Sequence, residues 1–405
     1  MRQRSVFLDR NSLFPRHIPD VLPHRENVLR MLHDLFDDFL RKPHRVYQRI
    51  IQIFGPIGSG KSSTAYRFEM EFEKASSNRK IPLRVVHINC KLGVGSRYVL
   101  YQTVLQNLNP EMVTRGFSEN EMLRQILYYL RNSGEFLLLV LDDVDYLVRK
   151  TKEKEGDEGG VIFDLTRLNE MFLGEYQKVV GAIFIARDGS FKKLLDPSEK
   201  STLGNVVIRL SSYSSEQLCD ILGERVDRAF RLGTVDKAIV EFVAELSSGK
   251  TYNPGDCRFA LDVLLTAGLM ADSEEAEEVS MEHLRKAASE SFDGISSEDL
   301  LALDENSILT LLAAVHALDF QKTPYVSLKS VWEYYMIECE TREIKPLSYG
   351  QIREIMKDLD FRGIVNYTAS KGISIVGASM EDLDRVLQTI ERSRELEQEE
   401  QKGYL

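Results

Sequence analysis

Ile50-Ile51-Gln52-Ile53-Phe54-Gly55-Pro56-Ile57-Gly58-Ser59-Gly60-Lys61-Ser62 decides how the rest of the chain is read. An apolar run of strand length ends in a loop of the form G-x-x-x-x-G-K-[ST], and a helical pattern follows. In that setting the glycines let backbone N–H groups close around phosphate oxygens. The helix that opens after the loop adds a partial positive charge at its N-terminus. Gly55, Gly58, Ser59, Gly60, Lys61, Ser62, Ser63 and Thr64 are therefore the expected nucleotide cradle. Lys61 is expected to reach the β- and γ-phosphates and Ser62 to ligate Mg²⁺, with ATP or ADP as the nucleotide.

Four further apolar runs lie outward from this loop: Val85–Asn89, Phe136–Leu141, Val179–Ala186 and Val206–Ile208. Helical stretches separate them. Continuous apolar runs suit strands buried on both faces of a parallel sheet, so the first 210 residues read as α/β. Ser118-Glu119-Asn120-Glu121 reads as a capping box before the third strand. That strand ends in Asp142-Asp143. Asp142 is the expected second metal ligand, and Asp143 stands where a water-polarising base belongs. Residues 150–160 contain no apolar side chain and are expected to form a solvated loop.

From Ser211 onward the strand signal disappears. Ser214-Ser215-Glu216-Gln217 reads as a second capping box, with Leu218, Ile221, Leu222 and Val226 on one face behind it. Helices are predicted over 235–247, 256–271 and 280–290, and Asp293–Ser297 is the expected boundary. The last hundred residues read as three helices and a hairpin, a winged-helix arrangement. The charged stretch Glu391–Lys402 is expected to fray. The expected domains are 1–210, a nucleotide-binding α/β base, 211–295, a helical lid, and 296–405, a winged helix.

The 405 residues are enough for two or three cores. The composition, 43% hydrophobic and 28% charged, excludes a fibrous or wholly disordered chain. No apolar run is long enough to span a membrane, and the N-terminus has no apolar signal core, so no membrane partner is expected. Cys90, Cys219, Cys257 and Cys339 are far apart and read as reduced thiols. His24 and His87 read as packing or polar-contact residues rather than metal ligands. The net charge of −11 is uneven: residues 1–150 sum to +7 and residues 151–405 to −18. A local nucleic-acid surface is compatible with that balance, but indiscriminate coating of nucleic acid is not.

In a helix-turn-helix unit the third helix presents its N-terminal residues to the major groove. Here those residues follow Ser348, a predicted N-cap. Tyr349, Gln351 and Arg353 can reach phosphates and base edges, and Lys371 sits at the wing tip. Residues 321–375 hold 8 basic and 7 acidic side chains, so charge alone does not favour DNA over a protein partner.

Taken in order, these motifs resemble the archaeal Orc/Cdc replication initiators of the AAA+ class, relatives of eukaryotic origin-recognition and helicase-loading subunits. The likeness covers nearly the whole chain. Pro19–Glu26 is similar to the family's segment near the adenine, which implies nucleotide contacts for Pro23, His24 and Arg25. Ser212–Arg225 resembles the motif leading into the lid, which implies contacts for Tyr213 and Arg225. Asn253–Arg258 is similar to the second sensor, implying that Arg258 reaches the γ-phosphate. The family's insertion before the third strand matches Asn109–Phe117 and implies a DNA contact for Arg115.

Three departures stand out. Arg187 occupies the place of a polar first sensor. Only Lys200 lies where a trans-acting arginine is expected. The acidic pair is Asp-Asp rather than Asp-Glu. An arginine finger is worth about 10³ or more in rate, so at most a slow ATPase is expected. The resemblance implies an origin-duplex-binding initiator, cytoplasmic and nucleoid-associated, that works with paralogous subunits and the replicative helicase. Three alternatives remain open at this level: a motor of the same fold, a nucleotide-gated regulator whose winged helix binds protein, and a diverged initiator paralogue that represses or modulates replication.

Overall fold

The computed structural model describes residues 5–43, 47–155, 160–171, 177–249, 254–290, 295, 300–368, 370–376 and 378–403. Two compact units emerge. One comprises residues 18–217 with 255–257; the other comprises residues up to 17, 218–254 and 258–405.

The first unit is built on a five-stranded parallel sheet ordered β2-β3-β4-β1-β5. Its strands are β1 (Arg49–Phe54), β2 (Leu83–Asn89), β3 (Phe136–Asp142), β4 (Val179–Ala186) and β5 (Val207–Arg209). Alternation along each strand sends side chains to opposite faces. Ile51, Ile53, Leu138, Val140, Ile183 and Ile185 meet α1 (Glu26–Arg41) and α2 (Lys61–Asn78) through Phe36, Phe39, Phe68 and Phe72. Leu137, Leu139, Leu141, Ala182 and Phe184 meet α3 (Arg97–Leu108) and α4 (Glu119–Ser133) through Leu100, Val104, Leu123 and Ile126. Both faces of β3 and β4 are therefore covered, and these strands need no polar residue until they end. Ser118 and Glu121 form the expected capping box on α4.

The register aligns Phe54 with Ala186 and Asn89 with Asp142. The phosphate loop, both aspartates, Asn89 and Arg187 thus gather at the carboxyl edge of the sheet, where open α/β sheets hold ligands.

Of the expected loop, residues 150–155 are helical, since α5 runs Val144–Glu155, and residues 156–159 lie outside the described residues. Buried Thr151 bonds the carbonyl of Val148 at 3.1 Å, and Lys152 pairs with the buried carboxylate of Glu199 at 3.1 Å, so a polar sequence continues a helix over a packed face. The short α6 (Val161–Thr166) follows, and Glu199 lies on α7 (Pro197–Leu203).

The second unit holds α8 (Ser215–Ala229), α9 (Lys237–Ser248), α10 (Cys257–Ser273) and α11 (Met281–Glu290). Ser214 and Gln217 cap α8 reciprocally. The expected boundary at 293–297 falls almost wholly outside the described residues. Helices α12 (Glu305–Gln321), α13 (Leu328–Thr341) and α14 (Tyr349–Phe361) precede the antiparallel pair β6 (Asn366–Thr368) and β7 (Gly372–Ser374). The final helix, α15 (Met380–Gly403), buries Leu383, Leu387 and Ile390 in the winged-helix core, so the charged tail continues a helix instead of fraying from Glu391.

The N-terminal arm also belongs to this second unit. Leu8 and Asp9 donate their N–H groups to Ala229, Val6 donates to Asp272 at 2.7 Å, and Phe7 stacks on Phe230 at 4.7 Å.

Candidate nucleotide site and nucleic-acid interface

The loop from Gly55 to Gly60 turns because its glycines take conformations other residues resist. Gly58 has φ 70° and Gly60, the N-cap of α2, has φ 82°. A Cβ on Gly58 would lie 2.0 Å from Asp256 Oδ1, and one on Gly60 would lie 2.6 Å from the Tyr213 hydroxyl. The loop is closed from within. Ser59 Oγ donates to the Pro56 carbonyl at 2.8 Å, Lys61 Nζ donates to the same carbonyl at 2.8 Å, and Thr64 Oγ1 donates to the Gly60 carbonyl at 2.7 Å. Ser63 is half-buried on the first turn of α2.

Across the loop, Ser62 Oγ donates to Asp142 Oδ2 at 2.5 Å. Asp142 is buried, and its Oδ1 accepts from the N–H of Asp143 at 3.0 Å. Asp143 sits in the left-handed region at φ 55°, uncommon for a non-glycine residue. Its carboxylate meets Lys91 Nζ at 3.1 Å and accepts from Asn89 Nδ2 at 3.3 Å. Sequence reading missed Asn89 and Lys91. The signal was a polar residue ending β2, which the register sets beside Asp142. Beneath the same carboxylates lies Cys90, whose thiol is pushed far up by burial and then by Asp142 and Asp143, so it is no nucleophile.

Arg25 is the other buried charge of this region. Its guanidinium donates to the Ser59 carbonyl at 2.7 and 3.3 Å and to the Ser211 carbonyl at 3.3 Å. It also lies 4.0 Å from the centroid of the Tyr213 ring. Burial lowers the Arg25 pKa from its ordinary value and pushes the Tyr213 phenol up to about 12. Arg25 thus ties the segment before β1 to the phosphate loop and to the residues after β5. Pro23 is half-buried beside it, and His24 takes φ 64° and accepts from Arg25 at 2.9 Å through its carbonyl.

The cradle, Asp142, Asp143, Pro23, His24, Arg25 and Tyr213 are thus all in one unit; Arg225 and Arg258 are in the other. Arg225 is buried, and its guanidinium donates to the carbonyls of Ser12 at 2.8 Å and His17 at 3.1 Å. Both of these carbonyls lie in the N-terminal arm. Arg258 is exposed on the first turn of α10. Arg187 and Lys200 are exposed, and the Arg187 carbonyl accepts from the N–H of Gly55 at 3.1 Å.

At the predicted reading helix, Ser348 is the N-cap of α14 and forms a capping box with Gln351. Gln351 Oε1 accepts from Ser348 N and Oγ at 3.0 and 2.8 Å, so both side chains are partly committed to the helix end. Arg353 is exposed, and Tyr349, 39% exposed, meets Trp332 edge-on at 6.0 Å. Arg115 is exposed on the turn between α3 and α4. Lys371 forms an ion pair with Glu245. Among the described residues no cluster of three or more His, Cys, Asp or Glu could hold a metal, and no helix is long and apolar enough to cross a membrane.

Three family models match in sequence order: an AAA domain over residues 44–195, a Cdc6 AAA+ ATPase-type lid domain over 219–289 and a CDC6 C-terminal winged helix domain over 298–374. Cdc6p from Pyrobaculum aerophilum superposes with a TM-score of 0.84 at 26% identity, covering 96% of this chain and all of that one. The Aeropyrum pernix ORC1 protein in complex with DNA gives a TM-score of 0.61 at 25% identity, over 95% of this chain and 97% of that one. An ORC1-type DNA replication protein from Desulfurococcus amylolyticus is 30% identical over 363 residues, 89% of this chain and 87% of its own length. With a phosphate loop at a sheet edge, a Cdc6-type lid and a winged helix in that order, the chain belongs to the ORC1-type DNA replication protein family.

Proposed function

We propose that this protein is an ATP-binding replication initiator that recognises origin duplex DNA, with the nucleotide as a slow switch. One observation carries the reading: the Ser62–Asp142 pair at the mouth of the phosphate loop, in a chain that also carries a winged helix. The loop's N–H groups and Lys61 would hold the phosphates. Ser62 and Asp142 offer the hard oxygen donors a Mg²⁺ accepts, and the metal, when bound, neutralises phosphate charge. Tyr213, Pro23, His24 and Arg25 would frame the base and sugar. Arg258 would approach the γ-phosphate from the lid; for Arg225 the bonds to Ser12 and His17 support the arm-holding role better than a nucleotide contact.

The chemistry at the sheet edge supports slow hydrolysis. Asp143 is held by Lys91 and Asn89, and its carboxylate is one methylene shorter than a glutamate's. Arg187 brings a charge where the family has a neutral polar group. On the DNA side, Tyr349, Gln351 and Arg353 would meet base edges and phosphates, with Ser348 at the helix end and Arg115 on the base domain. Paralogous initiator subunits and the replicative helicase are the partners this reading supplies, with action in the cytoplasm at the nucleoid.

The test is equilibrium binding to origin and scrambled duplexes at one near-physiological salt, with ATP and with ADP. Preference for origin duplex that changes with nucleotide is expected. Absence of both nucleotide binding and sequence preference sinks the reading. A second reading, a regulator whose winged helix binds protein, draws on the reading helix itself. Its basic side chains Lys357 and Arg362 pair with Glu354 and Asp358 on the same helix and its C-cap. Sequence-blind, weak duplex binding would favour it.

A further inference from the structure

The wing is fastened to the lid from both sides. On one side, Arg285 of α11 is almost fully buried and donates to the carbonyls of Ile375 at 3.3 Å and Thr323 at 3.1 Å. Ile373 and Val326 exchange two backbone hydrogen bonds of 2.8 and 2.9 Å. Gly372 has φ 106°, and a Cβ there would lie 2.3 Å from the Val326 carbonyl, so only glycine fits. The base of the wing is therefore fixed. On the other side, the tip meets α9. The Glu245 carboxylate accepts from the Tyr325 hydroxyl and pairs with Lys371 Nζ. Phe242 supports Tyr325 edge-on at 5.9 Å.

Lys371 is the only basic side chain on the described wing hairpin, residues 366–368 and 370–374. Its partner lies 126 positions earlier in the chain and belongs to the lid. The pair is partly solvent-exposed, with Lys371 at 48%, so a phosphate can compete for the lysine.

We propose that Glu245 withholds Lys371 from DNA, so that the lid sets how strongly the wing engages a duplex. The inference rests on the DNA-binding reading above. It treats Glu245 as an internal stand-in for a backbone phosphate. Duplex binding exchanges one partner for the other, and the net gain from Lys371 is reduced by what Glu245 loses.

The experiment is fluorescence anisotropy of the full chain with a labelled random-sequence duplex across a salt series. Native protein is compared with Glu245→Gln, Lys371→Ala and the double variant. The glutamine keeps an acceptor for Tyr325, and melting temperatures verify that all four proteins fold. One freed phosphate contact steepens the log–log salt slope by about 1 and is worth about fivefold in affinity near 0.15 M salt. Glu245→Gln is expected to gain that factor. Lys371→Ala is expected to cost about fivefold in the Glu245→Gln background and far less in the native one. Equal costs in both backgrounds, or unchanged binding by Glu245→Gln, overturn the proposal while the DNA reading stands. Loss of salt-sensitive binding in all four proteins overturns both.

Discussion

The phosphate loop and the reading helix differ in what carries their function. The loop is made of backbone: glycines at φ 70° and 82°, N–H groups and one lysine. Its geometry is enforced by neighbours such as Asp256 and Tyr213, which leave no room for a Cβ. The reading helix is ordinary backbone, and its function rests on exposed side chains that could serve DNA or protein. A backbone site announces itself in sequence because few residues can build it; a side-chain surface does not.

The largest expected effect breaks the loop through its charge. Lys61→Ala should weaken ATP binding by about 100-fold, since a charge-assisted contact to phosphate is lost, and fluorescent-nucleotide titration reads it. A smaller loss would mean that the N–H cradle carries the affinity alone. Next, Gly58→Ala should cost about 1–3 kcal/mol of nucleotide binding from a positive φ and the overlap with Asp256. The paired variant Gly350→Ala, beside a Cβ position whose only neighbour is Ser348 Oγ at 4.0 Å, should leave nucleotide binding unchanged and helix stability the same or higher. That contrast fails if both glycines respond alike.

On the surface side, Arg353→Ala should cost about 1–3 kcal/mol of duplex binding and relax preference at one position if it reads a base edge. A uniform loss across sequences would make it a phosphate contact instead.

The smallest effect concerns the winged-helix core. His316 lies between Glu338 at 2.7 Å and Asp384 at 2.9 Å, and Arg342 joins Glu338 to Glu391. The bond to Glu338 raises the His316 pKa against the opposing effect of burial, and Asp384 raises it further. A raised folded-state pKa gives stability that is full below about 6.5 and lost as pH rises through the folded value. Glu338 is lowered, mainly by His316, so its contribution is present above the ordinary glutamate range and lost in acid. Thermal melts should therefore show the native protein losing its margin over His316→Gln between mildly acidic and mildly alkaline pH, by within about 1 kcal/mol for a partly solvated cluster. Parallel melting curves would remove His316 from the account.

Legibility followed the same division. The parallel sheet, the phosphate loop and the order of helices could be read because burial on two faces and the glycine pattern leave few alternatives. Residues 150–155 could not, because their helix depends on Glu199, a partner far along the chain. Charge likewise hid α15, whose Leu383, Leu387 and Ile390 recur at helical spacing within an acidic run. Asn89 and Lys91 became visible only once the register set β2 beside β3. Arg225 shows the limit most clearly. A motif can nominate an arginine, but no local pattern says that its acceptors are the carbonyls of residues 12 and 17.

The N-terminal arm has a consequence for how the protein is made. Ser5 bonds Asp272, 267 positions later, and Val6 and Leu13 are wholly buried in the finished unit. At ribosomal rates of about 5–20 residues per second, the arm waits on the order of tens of seconds for its seat to be synthesised. The nucleotide-binding unit is translated in that interval. The arm therefore leaves the ribosome well before its seat exists, and it docks among the last parts of the unit.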